Sequence, residues 1–303
     1  MRRLKGLTVI VIALLALLLA ACGGGGAPSN GETDNDNGAT DPSGEQLTIG
    51  YVTWAEDIAV TYLWKALLEE QGYEVEAMEM GAGPLFGGLA QGSIDLFLDA
   101  WLPNTHSEYM ERYGDQLESL GIWYDTADLG LAVPDYVEIE SLSELAAAGD
   151  VFGRQIVGID AGAGLMRITQ EEAMPGYGLD DWQLIEGSET TMLAALDKAV
   201  ENEEPVVVTL WRPHWAFAQY PIRYLDDPEN LMNPSGQEEL HILATAGFSE
   251  RHPDVARWLG NFSLDDDTLG SLEVAVLEAD DYEEAAREWL EDHRHLVEPW
   301  FAE

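Results

Sequence analysis

Apolar and polar positions along the chain follow two periods, which predict a succession of strands and helices. Short apolar, β-branched runs bounded by glycine predict strands, whereas apolar residues spaced three or four positions apart predict helices. In the first part of the folded region the predicted elements are the strands 47–52, 73–77 and 94–98 and the helices 58–71 and 85–91. This order is typical of a parallel sheet with helices on both faces.

A second series of the same kind follows the apolar run 129–134, which we interpret as a crossover. Its predicted elements are a helix capped by Ser141, the strands 155–159, 205–210 and 241–245, the helix 190–200 and the C-terminal helices 253–261, 267–277 and 282–301. We therefore expect a two-lobed α/β protein in which each lobe is a mainly parallel sheet flanked by helices. Lobe 1 is predicted as 47–135 plus 242–303 and lobe 2 as 136–241, with a ligand cleft between them.

The N-terminal residues predict export and a lipid anchor. Basic residues precede the apolar run 7–21, which is too short for a membrane span and predicts a signal peptide at 1–21. The run ends in Leu-Ala-Ala-Cys, which resembles a bacterial lipobox and predicts that Cys22 is lipidated and becomes the mature N-terminus. An ordinary signal peptide with an incidental cysteine is the alternative. Glycine, proline and polar residues fill 22–46 and predict a flexible tether.

The composition is strongly acidic, with 57 Asp and Glu residues against 14 Lys and Arg residues. Removal of the signal peptide would leave 11 basic residues and a formal charge near −46, with Lys65 and Lys198 as the remaining lysines. Such a charge strongly disfavours nucleic acid and anionic surfaces as partners. Because salt screens the repulsion between carboxylates, we expect a protein that works in concentrated salt, as in a halophile.

Three of the ten tryptophans follow predicted strand ends, namely Trp54, Trp101 and Trp211. Ligands of open α/β sheets bind beyond the carboxyl ends of the strands, so we expect these three rings to meet in the cleft. Indole faces around one point would bind a cation that donates no hydrogen bonds, such as a quaternary ammonium group. Burial as ordinary core tryptophans is the alternative.

Two further features indicate a site for a carboxylate. Residues 162–164 (Gly-Ala-Gly) lie between a predicted strand and a predicted helix, where free backbone N–H groups bind anions. His106, five residues after Trp101, is a candidate donor to the same carboxylate, whereas His214 is as readily structural. The chain has neither a G-x-S-x-G motif nor a complete metal-ligand spacing, so we expect a binding protein without metal or cofactor and not an enzyme.

Five segments of the folded region closely resemble the glycine betaine/proline betaine substrate-binding lipoproteins of ABC importers. They are 49–59 (IGYVTWAEDIA), 83–85 (GPL), 99–106 (DAWLPNTH), 157–166 (VGIDAGAGLM) and 208–215 (VTLWRPHW). The resemblance runs over nearly the whole folded chain. It implies a type II periplasmic-binding-protein fold with a hinge between the lobes, and an ABC permease as partner on the extracytoplasmic side, with the membrane contacted only through the lipid anchor.

The resemblance also implies roles for single residues. The three tryptophans would form a prism around the trimethylammonium group, and the backbone amides of Gly164 and Leu165 together with His106 would hold the ligand carboxylate. Leu165 replaces a more usual isoleucine, and Leu210 stands where a glycine is common. Carnitine, choline or a sulfonium osmolyte are alternative ligands, although choline-binding branches often use tyrosines in the cage. A sensor lipoprotein that does not take part in transport is the alternative function.

We predict that the melting temperature of the protein rises as NaCl is increased from about 0.1 M to about 2 M, because screening lowers the repulsion between surface carboxylates. Melting curves followed by circular dichroism at neutral pH measure this effect. A flat or falling midpoint would contradict the expectation of a salt-adapted protein.

Overall fold

The computed structural model describes residues 44–302 of the chain. The predicted signal peptide, the predicted lipidation site Cys22 and residues 22–43 of the predicted tether lie outside the described residues. The first strand begins at Gln46, where the tether was predicted to end. Between residues 44 and 302, none of the helices combines the length and the apolar composition that a membrane crossing requires.

Nine strands form one sheet within residues 44–302. They are β1 (Gln46–Tyr51), β2 (Glu74–Glu79), β3 (Leu96–Leu102), β4 (Leu117–Pro134), β5 (Gln155–Val157), β6 (Gln183–Ile185), β7 (Val208–Arg212), β8 (Ile222–Tyr224) and β9 (Glu238–Thr245). The strand order is β2-β1-β3-β9-β4-β7-β5-β6, and β8 pairs with β4.

The long strand β4 divides this sheet into two halves. Up to Ala127 it pairs with β9, and from Asp128 onward it pairs with β7 and β8. We call the part with β1, β2, β3 and β9 the first half and the part with β5 to β8 the second half. The change of partner lies within a single strand, and the lobe boundaries drawn from the sequence stay a prediction.

Parallel pairing holds in the outer strands of each half, which are β2-β1-β3 and β6-β5-β7. Around the junction of the halves, β3, β9, β4, β7 and β8 pair in antiparallel fashion. The expectation of mainly parallel sheets therefore describes the outer strands and not the junction. The first ten residues of β4 mix exposed and buried positions without a regular alternation, so the sequence gives no clear strand signal there.

Helices cover the sheet in the described chain. They are α1 (Ala55–Glu70), α2 (Ala82–Gln91), α3 (Ser107–Tyr113), α4 (Gly164–Ile168), α5 (Met174–Gly176), α6 (Glu189–Asn202), α7 (Ala216–Gln219), α8 (Phe248–Arg251), α9 (Pro253–Gly260), α10 (Asp266–Leu277) and α11 (Tyr282–Val297). A π-helical turn (Thr169–Ala173) joins α4 to α5, and 3₁₀ turns lie at Gly114–Gln116, Leu142–Glu144 and Glu298–Phe301. The capping box predicted at Ser141 is present, but the helix after it is one 3₁₀ turn.

Helix α1 is the element of the core that positions the site. It packs between the sheet and the C-terminal helices α10 and α11 and is buried along most of its length. Trp64 on this helix is fully enclosed and packs against Phe262 and Trp300. Apolar burial stabilises such packing by about 25 cal/mol per Å². Because the helix is fixed in this way, the position of its first residue, Ala55, is fixed as well.

Candidate functional site

Three tryptophan rings line one cavity between the two halves of the sheet. Trp54 is the N-cap of α1, Trp101 lies in β3 and Trp211 lies in β7. The non-atom space of the cavity is about 260 Å³, part of which is open to solvent. Its wall is completed by Glu56, Thr105, Leu129, Ile159, Ala163 and Leu165. We call the three rings the cage; each of them is at most 5% exposed.

Two of the strands that carry cage rings end later in the chain than the sequence pattern predicted. β3 continues through Leu102 and β7 through Arg212, so Trp101 and Trp211 lie in the last residues of their strands and not after them. Trp54 follows β1 by three residues, in line with the prediction. All three positions still lie at the carboxyl ends of strands, and the topology brings them together there.

Each cage ring donates its indole N–H to a carboxylate. The pairs are Trp54–Asp160 (3.2 Å), Trp101–Asp99 (3.2 Å) and Trp211–Glu56 (2.8 Å). Burying an indole N–H without an acceptor costs free energy, and the carboxyl oxygens of these side chains avoid that cost. Because these bonds fix one edge of each ring, rotation of the rings is restricted and the ring faces stay available to the cavity. The bonds of Trp54 and Trp211 also join the first half of the chain to the second.

His106 lies next to the cage, outside the wall of the cavity. The backbone N–H of Trp101 donates to its Nδ1 at 2.9 Å, and its ring stacks on that of Trp54 with 5.8 Å between centroids. Burial, assisted by the positive charge of Arg167, lowers the pKa of His106 to about 3. The ring is therefore neutral, and because Nδ1 accepts, its proton is on Nε2. This Nε2 is buried and has no hydrogen-bond partner among residues 44–302.

The first turn of α4 contributes one residue to the wall and one contact between the halves. Leu165 lines the cavity. A Cβ atom at Gly164 would lie only 2.0 Å from the backbone oxygen of Thr105, so only glycine allows this approach. The facing segment is held by buried Glu238, which accepts the backbone N–H groups of Asn104 at 3.0 Å and Thr105 at 2.7 Å.

The structure thus brings together four of the six residues that the sequence singled out. The four in the cavity wall are Trp54, Trp101, Trp211 and Leu165. Gly164 lines the adjoining cleft, and His106 lies behind the rings of Trp54 and Trp101.

Buried acidic residues around the cage were not predicted from the sequence. They are Glu56, Asp57, Asp99, Glu189 and Glu273, and none is more than 8% exposed. We call these five the carboxyl cluster. The position of Asp99 could have been predicted. Residues i and i+2 of a strand share a face, so Asp99 lies beside Trp101.

The members of the carboxyl cluster come from both halves of the chain. Glu56 and Asp57 lie in the first turn of α1 and Asp99 lies in β3, whereas Glu189 is the first residue of α6. Glu189 accepts the backbone N–H of Ala55 at 3.0 Å and lies 3.2 Å from Nε2 of His214. The start of α1, beside Trp54, is therefore hydrogen-bonded across the cleft.

Burial dominates the titration of the carboxyl cluster. It raises the pKa of Asp99 to about 7 and the pKa of Glu273 to about 8. Burial and the nearby charge of Asp99 also raise the pKa values of Glu56 and Asp57 well above their usual range. Since the ionised forms of these four acids are poorly solvated and repel one another, the four together retain protons at neutral pH.

Comparison with known proteins relates this architecture to solute uptake. A model of the family described as the substrate binding domain of ABC-type glycine betaine transport systems matches residues 45–292. The chain is 36% identical over 154 residues to the glycine betaine/carnitine transport binding protein GbuC of Listeria monocytogenes, which covers 50% of this chain and 50% of that protein. The match therefore spans about half the length of this curated relative.

Two crystal structures share the fold over most of both chains. The glycine/betaine/L-proline-binding protein ProX of Borrelia burgdorferi has a TM-score of 0.80 and 34% identity, with 86% of this chain and 97% of that chain covered. Lactococcal OpuAC, in its closed-liganded conformation with glycine betaine, has a TM-score of 0.78 and 27% identity, with 85% and 100% covered. These matches confirm the two-lobed α/β fold. The family match extends over nearly all of the described residues, and the chain belongs to the substrate-binding domains of ABC-type glycine betaine transport systems.

Proposed function

We propose that this chain is an extracytoplasmic solute-binding protein that captures glycine betaine and delivers it to the permease of an ABC importer for osmoprotection. Proline betaine would be a second ligand of the same cage. The observation that carries the proposal is the single cavity whose wall contains Trp54, Trp101 and Trp211.

The cage suits the cationic end of a betaine. A trimethylammonium group has a full positive charge but no N–H, so ring faces bind it better than hydrogen-bond acceptors do. Each face contributes about 0.5 to 2 kcal/mol, with the larger values at desolvated sites such as this one. Glu56, which also lines the cavity, places an acidic side chain near the same point.

The anionic end of a betaine needs hydrogen-bond donors. We assign this role to the backbone amides of Gly164 and Leu165 and to the Nε2 of His106. That nitrogen is neutral, carries its proton and is buried without a partner in the described chain. A ligand carboxylate would satisfy a donor that is otherwise costly to bury, whereas choline could offer it only an uncharged hydroxyl oxygen, a weaker acceptor. This difference favours a zwitterion.

Carnitine is the second candidate ligand. It carries the same two end groups as glycine betaine on a longer chain, and the Listeria relative is a glycine betaine/carnitine transport binding protein. Choline and sulfonium osmolytes share only part of this chemistry, and a sensor lipoprotein would bind the same ligands without transport. Titration of a panel of methylated amines ranks the ligands, and uptake by cells that lack the gene separates transport from sensing.

The N-terminal sequence supports the proposed location. Lipidation of Cys22 would attach the mature protein to the outer face of the cytoplasmic membrane, and residues 22–46 would let the binding domain stand off the surface. In this arrangement the lipid anchor is the membrane contact, and the permease is the protein partner.

Replacement of any one of Trp54, Trp101 and Trp211 by alanine is expected to weaken glycine betaine binding at least about tenfold, because one ring face of up to about 2 kcal/mol is lost. Isothermal titration calorimetry measures the dissociation constant. Trp258→Ala is the matched control, since it removes a half-buried indole of α9 that packs against Phe301. It should leave the affinity unchanged. Unchanged affinity in all three cage variants would mean that these rings do not hold the ligand.

Gly164→Ala is expected to weaken binding by about tenfold or more, because the added Cβ would overlap the backbone oxygen of Thr105 when the two halves meet. Gly162→Ala is the control two residues away, where a Cβ would lie 3.5 Å from the Asp160 carboxylate, an ordinary contact. Small-angle X-ray scattering with added glycine betaine should show compaction of the wild type and the control, but not of Gly164→Ala. Equal compaction of all three proteins would show that the contact does not govern closure.

A further inference from the structure

Within residues 44–302, no lysine or arginine forms an ion pair with the carboxyl cluster. Glu56 faces Asp99 on β3, Glu189 on α6 and Glu273 on α10, and Asp57 also faces Asp99. Among the described groups that shift the pKa of Glu56, Asp99 or Glu273, none is a lysine or an arginine. In the described part of the chain, the basic side chain in contact with a member is His214, at 3.2 Å from Glu189. Several negative charges therefore meet in a space from which water is largely excluded.

This cluster is joined directly to the cage. Glu56 lines the cavity and accepts the indole N–H of Trp211 at 2.8 Å, and Asp99 accepts that of Trp101 at 3.2 Å. One carboxyl oxygen of Glu273, on the α10 side of the cluster, is buried without a hydrogen-bond partner in the described chain. A positive charge in the cavity would thus lie close to the carboxyl cluster.

We propose that capture of a quaternary ammonium ion in the cage expels a proton from the carboxyl cluster, so that ligand binding and proton release are coupled. The inference rests on the proposed function, since it requires a permanent cation in the cavity. In this step one carboxyl O–H bond breaks, its proton passes to the solvent buffer, and the charge of the cation replaces the charge of the proton. Because glycine betaine is a zwitterion without net charge, the complex carries one unit of negative charge more than the free protein, and the proton taken up by the buffer balances it.

The titration of the cluster supports this exchange near neutral pH. Asp99 and Glu273, with pKa values of about 7 and about 8, hold protons that a modest change in local potential would release. A neighbouring cation favours the ionised form and lowers these pKa values, so the proton leaves at a pH between the bound and the free value. His106, with a pKa of about 3, does not titrate in this range.

The coupling gives binding a definite pH dependence. Because the complex holds fewer protons than the free protein, affinity increases with pH, by at most about tenfold per pH unit for one proton released. The increase is expected between about pH 6 and pH 8 and should level off at higher pH, where the free cluster has already lost these protons. Glycine betaine has no group that titrates in this interval, so a pH dependence of the affinity would come from groups of the protein.

The test is isothermal titration calorimetry with glycine betaine at neutral pH, in phosphate and in Tris, whose ionisation enthalpies differ. For the wild type we expect heats that depend on the buffer, with a slope of up to about one proton released per ligand, and a dissociation constant that falls from about pH 6 to pH 8. Glu56→Gln, Asp99→Asn and Glu273→Gln should each reduce the slope and flatten the pH profile. Glu76→Gln, at an exposed position of β2, is the matched control and should keep both.

The outcomes separate this inference from the proposed function. Intact binding with buffer-independent heats and a constant dissociation constant would overturn proton coupling and leave the function in place. A slope that persists unchanged in all three cluster variants would also overturn it, because the proton would then come from elsewhere. A wild type that binds none of glycine betaine, carnitine and choline would overturn both. Should a variant fail to fold, which circular dichroism detects, the wild-type pH series still decides.

Discussion

Burying an indole N–H without an acceptor costs free energy, and in the cage all three acceptors are side chains of acidic residues. This choice determines much of the rest of the site. The hydrogen bonds fix the edges of Trp54, Trp101 and Trp211 and leave their faces to the cavity. They also bring acidic groups into a region that is otherwise apolar, where burial disfavours the ionised form. The ring orientation that favours a cation on the faces therefore depends on the acidic residues that bind the ring edges.

The same hydrogen bonds hold the halves of the chain together. Trp54 donates to Asp160, Trp211 donates to Glu56, and the first backbone N–H of α1 donates to Glu189. In each case the donor and acceptor belong to different halves. If the halves separated, the cage would lose its shape and the acids would become hydrated in the same motion. Closure and dehydration of the acids are thus one event, and a ligand that favours one necessarily favours the other.

The positions of the cage rings follow from the sequence, because the carboxyl ends of strands in an α/β sheet lie at one edge. The exact strand ends do not follow, since Trp101 and Trp211 are themselves good strand residues and extend β3 and β7. The carboxyl cluster was missed for a different reason. Acids in the first turn of a helix, such as Glu56 and Asp57, are ordinarily solvated and favoured there by the helix dipole. Glu56 and Asp57 are buried because α1 packs against α10 and β3. The local sequence pattern does not predict this tertiary packing.

Because the protein has few lysines, most of the acidic residues that the structure describes have no positive partner. The consequence differs between the acidic residues at the surface and those in the interior. Six of the described acidic residues are buried, and the others are exposed or half-exposed, where salt can screen them. The screening length is about 8 Å at physiological ionic strength, but it applies to solvated charges, so added salt relieves the surface and barely reaches Glu56 or Asp99. A lysine beside these acids would keep them ionised. It would also put a fixed positive charge next to the cavity and repel the cation that the cage is suited to hold. Carboxyl groups that retain protons avoid this repulsion, because a proton, unlike a lysine side chain, can leave when the cation arrives.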